Sequence, residues 1–251
     1  MPRAVWDDLV ILTPMDLYRL SADKSILEQQ FRSMETCLYT GVDRDEDGLW
    51  NPDRWQLADW LDPAAPPEDP GCGRTDGVLV ADACLVRVTD GFRAVCLALG
   101  KDSAAWKVKK EAASLKTEFQ KKYIAPKGNL MSNSQTGSAL AIQNGLYEAK
   151  DQLAVASAAP EKLVRSARFH ISTGFAGTPI ITHALTSVRT PQLTYRMLLE
   201  GTCTSWMYPV PMGATTIWER WNSMLEDGTI NPGQMTSFSH YALGCRGGLA
   251  A

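Results

Sequence analysis

Apolar positions recur with helical spacing along most of the chain. In the segment 5–20, V-W-D-D-L-V-I-L-T-P-M-D-L-Y-R-L, one stripe of a helix carries Trp6, Leu9, Val10, Leu17 and Leu20. Further helices are predicted over residues 25–39, 75–99, 103–123, 161–169 and 192–199. The helical pattern also resumes in S-Q-T-G-S-A-L-A-I-Q-N-G-L-Y. The pattern therefore predicts a protein built mainly of helices.

The connections between these helices are long. Residues 43–73 are rich in Pro, Asp and Gly, and loops of this length are often functional. The segment S-W-M-Y-P-V-P-M is predicted to be extended, because Pro209 and Pro211 exclude a helix interior. A helix, loop, helix, long-loop order fits an α-solenoid or an α/α barrel, and the absence of visible sequence repeats favours the barrel.

Charge and composition narrow the classes of partner and site. The formal net charge is −3 without a basic stripe, so a nucleic-acid partner is not expected. The N-terminus has acidic residues where a signal peptide would be apolar, and no apolar run approaches the roughly 20 residues of a membrane span. We therefore expect a soluble, cytoplasmic protein. Scattered cysteines without a C-x-x-C pair predict free thiols and no structural zinc, at positions 37, 72, 84, 96, 203 and 245.

One acidic segment has the beginning of a calcium loop. D-R-D-E-D-G starts at Asp43, but the twelfth position, where a calcium loop has a bidentate Glu, is Arg54. An acidic turn before Trp50 is the favoured alternative, and no metal site is predicted. Nothing matches a P-loop or a dinucleotide fingerprint, so no cofactor is expected either.

Two carboxylates stand beside tryptophans. G-A-T-T-I-W-E-R-W places Glu219 between two indoles, and Q-L-A-D-W-L-D-P places Asp59 next to Trp60. Indole rings stack on sugar faces, and burial against an indole raises a carboxyl pKa towards the range of proton transfer. Alternatively, the tryptophans lie in the core, Glu219 pairs with Arg220 or faces solvent, and Asp59 caps a helix.

The segment H-I-S-T-G-F-A-G-T-P is the clearest loop signal. Gly174 and Gly177 allow tight backbone, and Thr178 is a candidate cap for a helix that begins with Pro179. The three histidines, at positions 170, 183 and 240, have no metal-binding spacing. His240 lies shortly after the Glu219 segment, so the chain could fold it back onto Glu219.

Segments that occur in order along nearly the whole chain resemble the catalytic domain of the α-L-rhamnosidases, glycoside hydrolase family 78. They include R-T-D-G-V-L-V-A-D-A, S-T-G-F-A-G-T-P, M-T-S-F-S-H-Y-A-L-G and the very specific S-W-M-Y-P-V-P-M-G-A-T-T-I-W-E-R-W. The family has an (α/α)6 barrel and cleaves terminal rhamnose with inversion. The resemblance therefore implies an all-α fold, an incomplete (α/α)6-barrel-like array of helical hairpins with long loops at one end. We expect one truncated domain spanning residues 1–251.

The resemblance also implies roles for individual residues. Glu219 would be the general base that activates water, and Asp59, in the family's G-D-W-L element, would line the same pocket as a second catalytic candidate. His240 would contact a sugar hydroxyl. The predicted substrate-binding tryptophans are Trp6, Trp60, Trp206, Trp218 and Trp221. The methyl group of rhamnose, a 6-deoxy sugar, gives aromatic walls a physical purpose.

The chain departs from the family in its acid. An inverting glycosidase needs a second carboxyl group, and the family's D-x-x-Q-R-D-E-R-type acid motif does not occur in these 251 residues. The first hairpins and most of the β-domain are also missing, and exposed faces predict possible homo-oligomers. Smaller departures are Asp7 and Ala58, where the family has Gly, and Ser239, where it has Asn.

Three functions follow from these observations. The first is hydrolysis of terminal α-L-rhamnosides at Glu219, which would be supported if Asp62, Asp76 or Glu226 lay roughly 6.5–9.5 Å away. The second is a repurposed enzyme with acid/base or cyclisation chemistry on a hydrophobic metabolite, which a closed apolar pocket would favour. The third is a non-catalytic protein that binds a sugar or a partner, which an open groove would favour.

Overall fold

The computed structural model of the chain describes residues 2–147 and 150–244. Within them the chain forms eight α-helices and no extended strand: α1 (Leu9–Ser21), α2 (Ser25–Thr36), α3 (Gly77–Ala98), α4 (Asp102–Tyr123), α5 (Gln135–Gln143), α6 (Lys150–Ser166), α7 (Thr178–Ser187) and α8 (Pro191–Leu198). A π-helical turn, Cys37–Gly41, continues α2. In the part of the chain described, no helix is both long and apolar enough to span a bilayer.

Most predicted helices are confirmed to within a few residues, but one helix and the one extended segment differ from the prediction. The helix predicted at 161–169 starts at Lys150, because Pro160 is accommodated inside α6 instead of preceding it. The prediction of extended chain at S-W-M-Y-P-V-P-M is wrong. This segment forms consecutive turns, closed by hydrogen bonds from Val210 N–H to the Met207 carbonyl (3.1 Å) and from Met212 N–H to the Pro209 carbonyl (3.2 Å). Proline excludes a helix interior, but it suits a turn as well as a strand.

The apolar stripe predicted for the first helix is also wrong. Leu9, Leu17 and Leu20 are 58%, 46% and 86% exposed. The buried face of α1 is formed by Ile11, Pro14 and Met15. Apolar residues occur around most of this helix, so the 3.6-residue period alone does not select one face.

The chain divides into two compact units. The first unit comprises Met1–Leu57 and Val78–Tyr123, and the second comprises Ala58–Gly77 and Ile124–Ala251. In the first unit α1 packs on α2. In the second unit α5 packs on α6 and α7, and α7 packs on α8. The organisation as a single domain over residues 1–251 stays a prediction.

The second unit has a continuous apolar core that includes two tryptophans. Trp206 and Trp221 are each 5% exposed, and their rings meet edge to face with centroids 5.8 Å apart. Around them lie buried side chains of the helices and of the segments between them: Ala139, Val164, Ile171, Ile181, Ala184, Leu185, Leu193, Met197 and Leu243. The segment 199–241, which contains no helix or extended strand, contributes both tryptophans to this core.

The same tight turn occurs three times. Isolated antiparallel bridges join residues six apart in Arg44–Trp50, Ile124–Leu130 and Met224–Ile230. Inside each turn, the second residue donates its N–H to a carbonyl four residues on and accepts the N–H of a glycine three residues on. The glycines, Gly48, Gly128 and Gly228, have φ values of 80°, 90° and 81°. The turn therefore needs a left-handed backbone conformation four residues after the first bridge residue. Glycine adopts this conformation without strain.

The first of these turns is the segment that resembled a calcium loop. Asp43 forms an ion pair with the side chain of Arg54, the residue at the twelfth position. Asp45 accepts the backbone N–H of Asp47 at 3.0 Å. In the described residues no cluster of three His, Cys, Asp or Glu side chains could hold a metal ion. Arg54 thus occupies the position where a calcium loop has its bidentate Glu, and it pairs with Asp43. The segment is an acidic turn closed by this ion pair.

Gly228→Ala is expected to lower the free energy of unfolding by about 1 kcal/mol, because an L-residue is strained in the left-handed region. An added Cβ at Gly228 meets no atom within 4 Å, so the effect isolates backbone strain. Gly201→Ala is the matched control, since its Cβ also meets nothing within 4 Å and its φ is not left-handed. Urea unfolding of both variants measures the difference. Equal stabilities would show that the turn relaxes to another conformation.

Candidate functional site

Asp59 is a buried anchor for the glycine-containing loop 172–178. Its carboxylate is fully buried and accepts four hydrogen bonds. The donors are the Thr136 hydroxyl and the backbone N–H groups of Gly174 (2.8 Å), Ala176 (3.0 Å) and Gly177 (3.0 Å). Burial raises the pKa of Asp59 to about 6, while the hydrogen bonds from Gly174 and Thr136 act in the opposite direction. Both oxygens are occupied, so the geometry favours a positioning role over proton transfer by Asp59.

The two glycines of this loop are needed for close approach. A Cβ at Gly174 would lie 2.3 Å from the Trp60 carbonyl oxygen, and a Cβ at Gly177 would lie 2.1 Å from Thr136 Oγ1. The adjacent Phe175 donates its N–H to the same Trp60 carbonyl at 2.8 Å. The tight backbone predicted for these glycines is thus confirmed, and it holds the loop directly against the Asp59–Trp60 segment.

Glu219 is held between two stretches of irregular chain. Its backbone N–H donates to the Ser237 carbonyl at 2.9 Å, and its Oε2 accepts the Ser237 N–H at 3.2 Å. His240 N–H donates to the Ile217 carbonyl at 2.8 Å, which places the two segments side by side. The Glu219 side chain is 17% exposed, so its carboxylate is mostly shielded but open to a ligand.

His240 lies next to Glu219, as the sequence predicted. Its Nε2 is 3.9 Å from Glu219 Oε1. Its Nδ1 accepts the Ala242 N–H at 3.3 Å, which assigns the proton of the neutral ring to Nε2. The ring stacks on Phe175 with centroids 5.3 Å apart and planes 19° apart. Phe175 therefore links the loop anchored by Asp59 to the histidine beside Glu219.

The predicted tryptophans fall into different environments. Trp60 is half-buried, with its indole N–H 3.2 Å from Met235 Sδ, and it remains a candidate wall of the Glu219 site. Trp6 belongs to the first unit, where it is half-buried before α1, so its place in this site stays a prediction.

The remaining three tryptophans are packing residues in the structure. Trp206, Trp218 and Trp221 are 3–5% exposed. The indole N–H groups of Trp206 and Trp221 donate to the carbonyls of Leu243 (2.9 Å) and Thr173 (3.0 Å). All three line an apolar cavity of about 250 Å³, but Glu219 is not among its lining residues. Their burial does not favour contact with a sugar at Glu219, and their role in substrate binding stays a prediction.

Several residues of this arrangement were not predicted. Thr136, Phe175 and Ser237 support Asp59, His240 and Glu219, yet no local pattern distinguishes them. Their partners lie far away in sequence, since Asp59 is 77 residues from Thr136 and 118 residues from Gly177. The described cysteines, at positions 37, 72, 84, 96 and 203, form no disulfide bond, as predicted. Cys245 lies outside the described residues.

Comparison with known proteins identifies the family of this chain. A model of the bacterial α-L-rhamnosidase six-hairpin glycosidase domain matches residues 1–248. The chain belongs to that family. Among its relatives, the α-L-rhamnosidase of Alteromonas sp. (strain LOR) is 31% identical over 244 residues, which are 95% of this chain and 26% of that protein. The α-L-rhamnosidase of Streptomyces avermitilis is 31% identical over 247 residues, 97% of this chain and 22% of that protein.

Solved structures of the family have the same fold. The native α-L-rhamnosidase of Aspergillus terreus superposes with a TM-score of 0.96 at 38% identity, over 98% of this chain and 28% of that one. The S. avermitilis enzyme, solved with L-rhamnose, gives a TM-score of 0.85 at 30% identity, over 97% of this chain and 22% of that one. The predicted all-α, α/α-barrel class is thereby confirmed. The chain spans about a quarter of the length of the curated relatives it matches.

Proposed function

We propose that the second unit binds a terminal α-L-rhamnosyl group at Glu219 and that Glu219 activates the water that displaces the leaving group. The observation that supports this most is the contact between Glu219 and His240. The Glu219 carboxylate and His240 Nε2 face each other at 3.9 Å, and both residues are fixed by hydrogen bonds that involve the backbone. The relatives of this family that are named above are α-L-rhamnosidases.

Each residue has a defined part in the proposed step. Glu219 accepts a proton from water, the water oxygen attacks the anomeric carbon, and the glycosidic C–O bond breaks on the opposite face. A histidine with its proton on Nε2 cannot take that proton, so His240 donates a hydrogen bond to a sugar hydroxyl or to Glu219. The half-buried Trp60 supplies apolar surface for the ring and its methyl group.

The leaving-group oxygen must be protonated by another group. Asp62, one candidate, is buried and accepts the N–H groups of Ala64 and Arg74 at 2.8 Å each, as well as the Arg74 guanidinium. Asp59 is similarly occupied by four donors. Neither buried carboxylate of this segment is free to act as the acid. This observation favours a second candidate function, in which the site binds rhamnose without hydrolysing unactivated glycosides.

Two substrates with different leaving groups test both functions. Nitrophenolate leaves without being protonated, so p-nitrophenyl α-L-rhamnoside needs only the base, whereas methyl α-L-rhamnoside also needs the acid. We expect nitrophenol release, with β-L-rhamnose as the first product by proton NMR. The methyl glycoside should be hydrolysed roughly 10²-fold or more slowly than the nitrophenyl glycoside, because no positioned acid protonates its leaving group.

L-Rhamnose binding, followed by tryptophan fluorescence, is the accompanying measurement. Binding without release of nitrophenol from a folded protein would support the sugar-binding function and exclude the hydrolytic one. Absence of both would exclude the proposal altogether. Hydrolysis of the methyl glycoside at a rate close to that of the nitrophenyl glycoside would show that an acid is present after all.

A further inference from the structure

Arg220, the residue after Glu219, is largely buried and forms no ion pair with the residues that the structure describes. The residue is 9% exposed, and its Nε has no hydrogen-bond partner among the described residues. Among the residues that the structure describes, none forms an ion pair or a side-chain hydrogen bond with its guanidinium. Burial lowers the pKa of Arg220 and the Glu219 charge opposes this, but an arginine remains charged at neutral pH. A buried guanidinium nitrogen without an acceptor costs free energy, so an acceptor supplied by a ligand would be favourable.

Arg220 and Asn231 both line a cavity of about 260 Å³ in the second unit. A Cβ added at Gly233 would be 3.4 Å from Arg220 Nη1 and 3.1 Å from Asn231 Oδ1, so these two side-chain ends lie on either side of Gly233. Asp62 also lines the cavity, but Arg74 and two backbone N–H groups occupy its carboxylate. The cavity is therefore lined by an arginine with which none of the described walls forms an ion pair.

The other walls of the cavity are of the kind that bind a sugar ring. Asn222 contributes a half-buried amide that makes no side-chain hydrogen bond to the described residues. Leu61, Pro63 and Trp221 contribute apolar surface. The volume lies close to the lower end of the ~300–1,000 Å³ range of small-molecule pockets. It exceeds what an inorganic anion would fill, since a water occupies only about 30 Å³ in the liquid.

We propose that this cavity binds a sugar acid, a carboxylate-bearing ring of monosaccharide size, with the Arg220 guanidinium on its carboxylate and the Asn222 amide on a hydroxyl. Guanidinium and carboxylate are matched in geometry and form paired, charge-assisted hydrogen bonds. The acid can be free or part of a larger glycan, because the recognised group is the same. This inference concerns binding at Arg220 and does not depend on hydrolysis at Glu219.

Calorimetric titration with three probes tests the proposal. D-Glucuronate has both ring and carboxylate, D-glucose lacks the carboxylate, and acetate lacks the ring. We expect glucuronate to bind and the other two to bind at least about tenfold more weakly. Arg220→Met should weaken glucuronate binding about 30-fold or more, as truncating one side of a buried charge pair does. Arg165→Met, at a side chain that is 58% exposed, is the control and should leave binding unchanged.

A second variant tests the proposal even if Arg220→Met does not fold. Asn222→Ala removes an amide that makes no side-chain hydrogen bond to the described residues, so it should weaken glucuronate binding severalfold without lowering the melting temperature. Equal affinity for glucuronate and glucose would overturn the proposal, as would glucuronate binding that Asn222→Ala leaves unchanged. Failure of all three probes at millimolar concentration would overturn it too. None of these outcomes bears on nitrophenol release, so the two proposals fail separately.

Discussion

Glu219→Gln is expected to lower nitrophenol release from p-nitrophenyl α-L-rhamnoside by roughly 10²–10⁴-fold, the usual contribution of a positioned base. The amide keeps the shape of the carboxylate and can still accept the Ser237 N–H with its oxygen, but it cannot take a proton from water. L-Rhamnose binding should therefore change little. Initial rates and fluorescence titration measure the two quantities. Glu68→Gln, at an exposed carboxylate of the second unit, is the control.

Azide distinguishes a base from a residue that only shapes the site. In Glu219→Ala the missing side chain leaves room for azide, which attacks the anomeric carbon without first losing a proton. Nitrophenolate leaves and a rhamnosyl azide of inverted configuration forms. We expect azide to restore nitrophenol release in Glu219→Ala and to leave the wild-type rate unchanged. Loss of activity that azide does not restore in a folded variant would assign Glu219 a structural role.

Asp59→Ala is expected to lower the free energy of unfolding by about 4 kcal/mol, because three buried backbone N–H groups and one hydroxyl lose their acceptor. Asp59→Asn should cost about 2 kcal/mol, since one amide oxygen can still accept from two of the N–H groups. Asp69→Ala, at an exposed aspartate of the same segment, should cost nearly nothing. Urea unfolding, with the slope compared among variants, gives this order.

If Asp59→Ala does not fold, Asp59→Asn and Thr136→Val still test the anchor. Thr136→Val keeps the volume of the side chain and removes one of the four donors, so its cost should be below that of Asp59→Asn. A stability of Asp59→Asn equal to that of Asp69→Ala would show that the loop 172–178 is held by packing alone. Asp59 would then have no special part in supporting Phe175 and His240.

The sequence predicts the helices well, because helical periodicity is local. It does not predict the supports of the site, because Asp59 meets the loop 172–178 across more than 100 residues. Nor does it separate tryptophans that pack from tryptophans that bind sugar. A buried core and a sugar site both select large aromatic rings, so Trp206, Trp218 and Trp221 look like ligands in the sequence and are core or near-core residues in the structure.

Two smaller points of the sequence acquire physical explanations. Ala58 occupies a position where the rhamnosidases tend to have Gly, and its φ is 55°, in the left-handed region that glycine adopts freely. The alternative in which Glu219 pairs with Arg220 is not observed, since the described residues show no ion pair between these neighbours. Opposite charges that are adjacent in sequence do not face each other unless the backbone turns them together.

The anchor at Asp59 has a consequence for the order in which the site forms. Asp59 accepts hydrogen bonds from the start of α5 and from the loop before α7, so these three parts of the second unit must assemble before the bonds can form. Closing contacts across such long stretches of chain costs entropy and tends to come late in folding. In a molecule that has formed its helices but not the hydrogen bonds to Asp59, Phe175 is not held in the position where His240 stacks on it. Activity at the site thus requires the fully assembled second unit, and helix content alone does not show that this assembly has occurred.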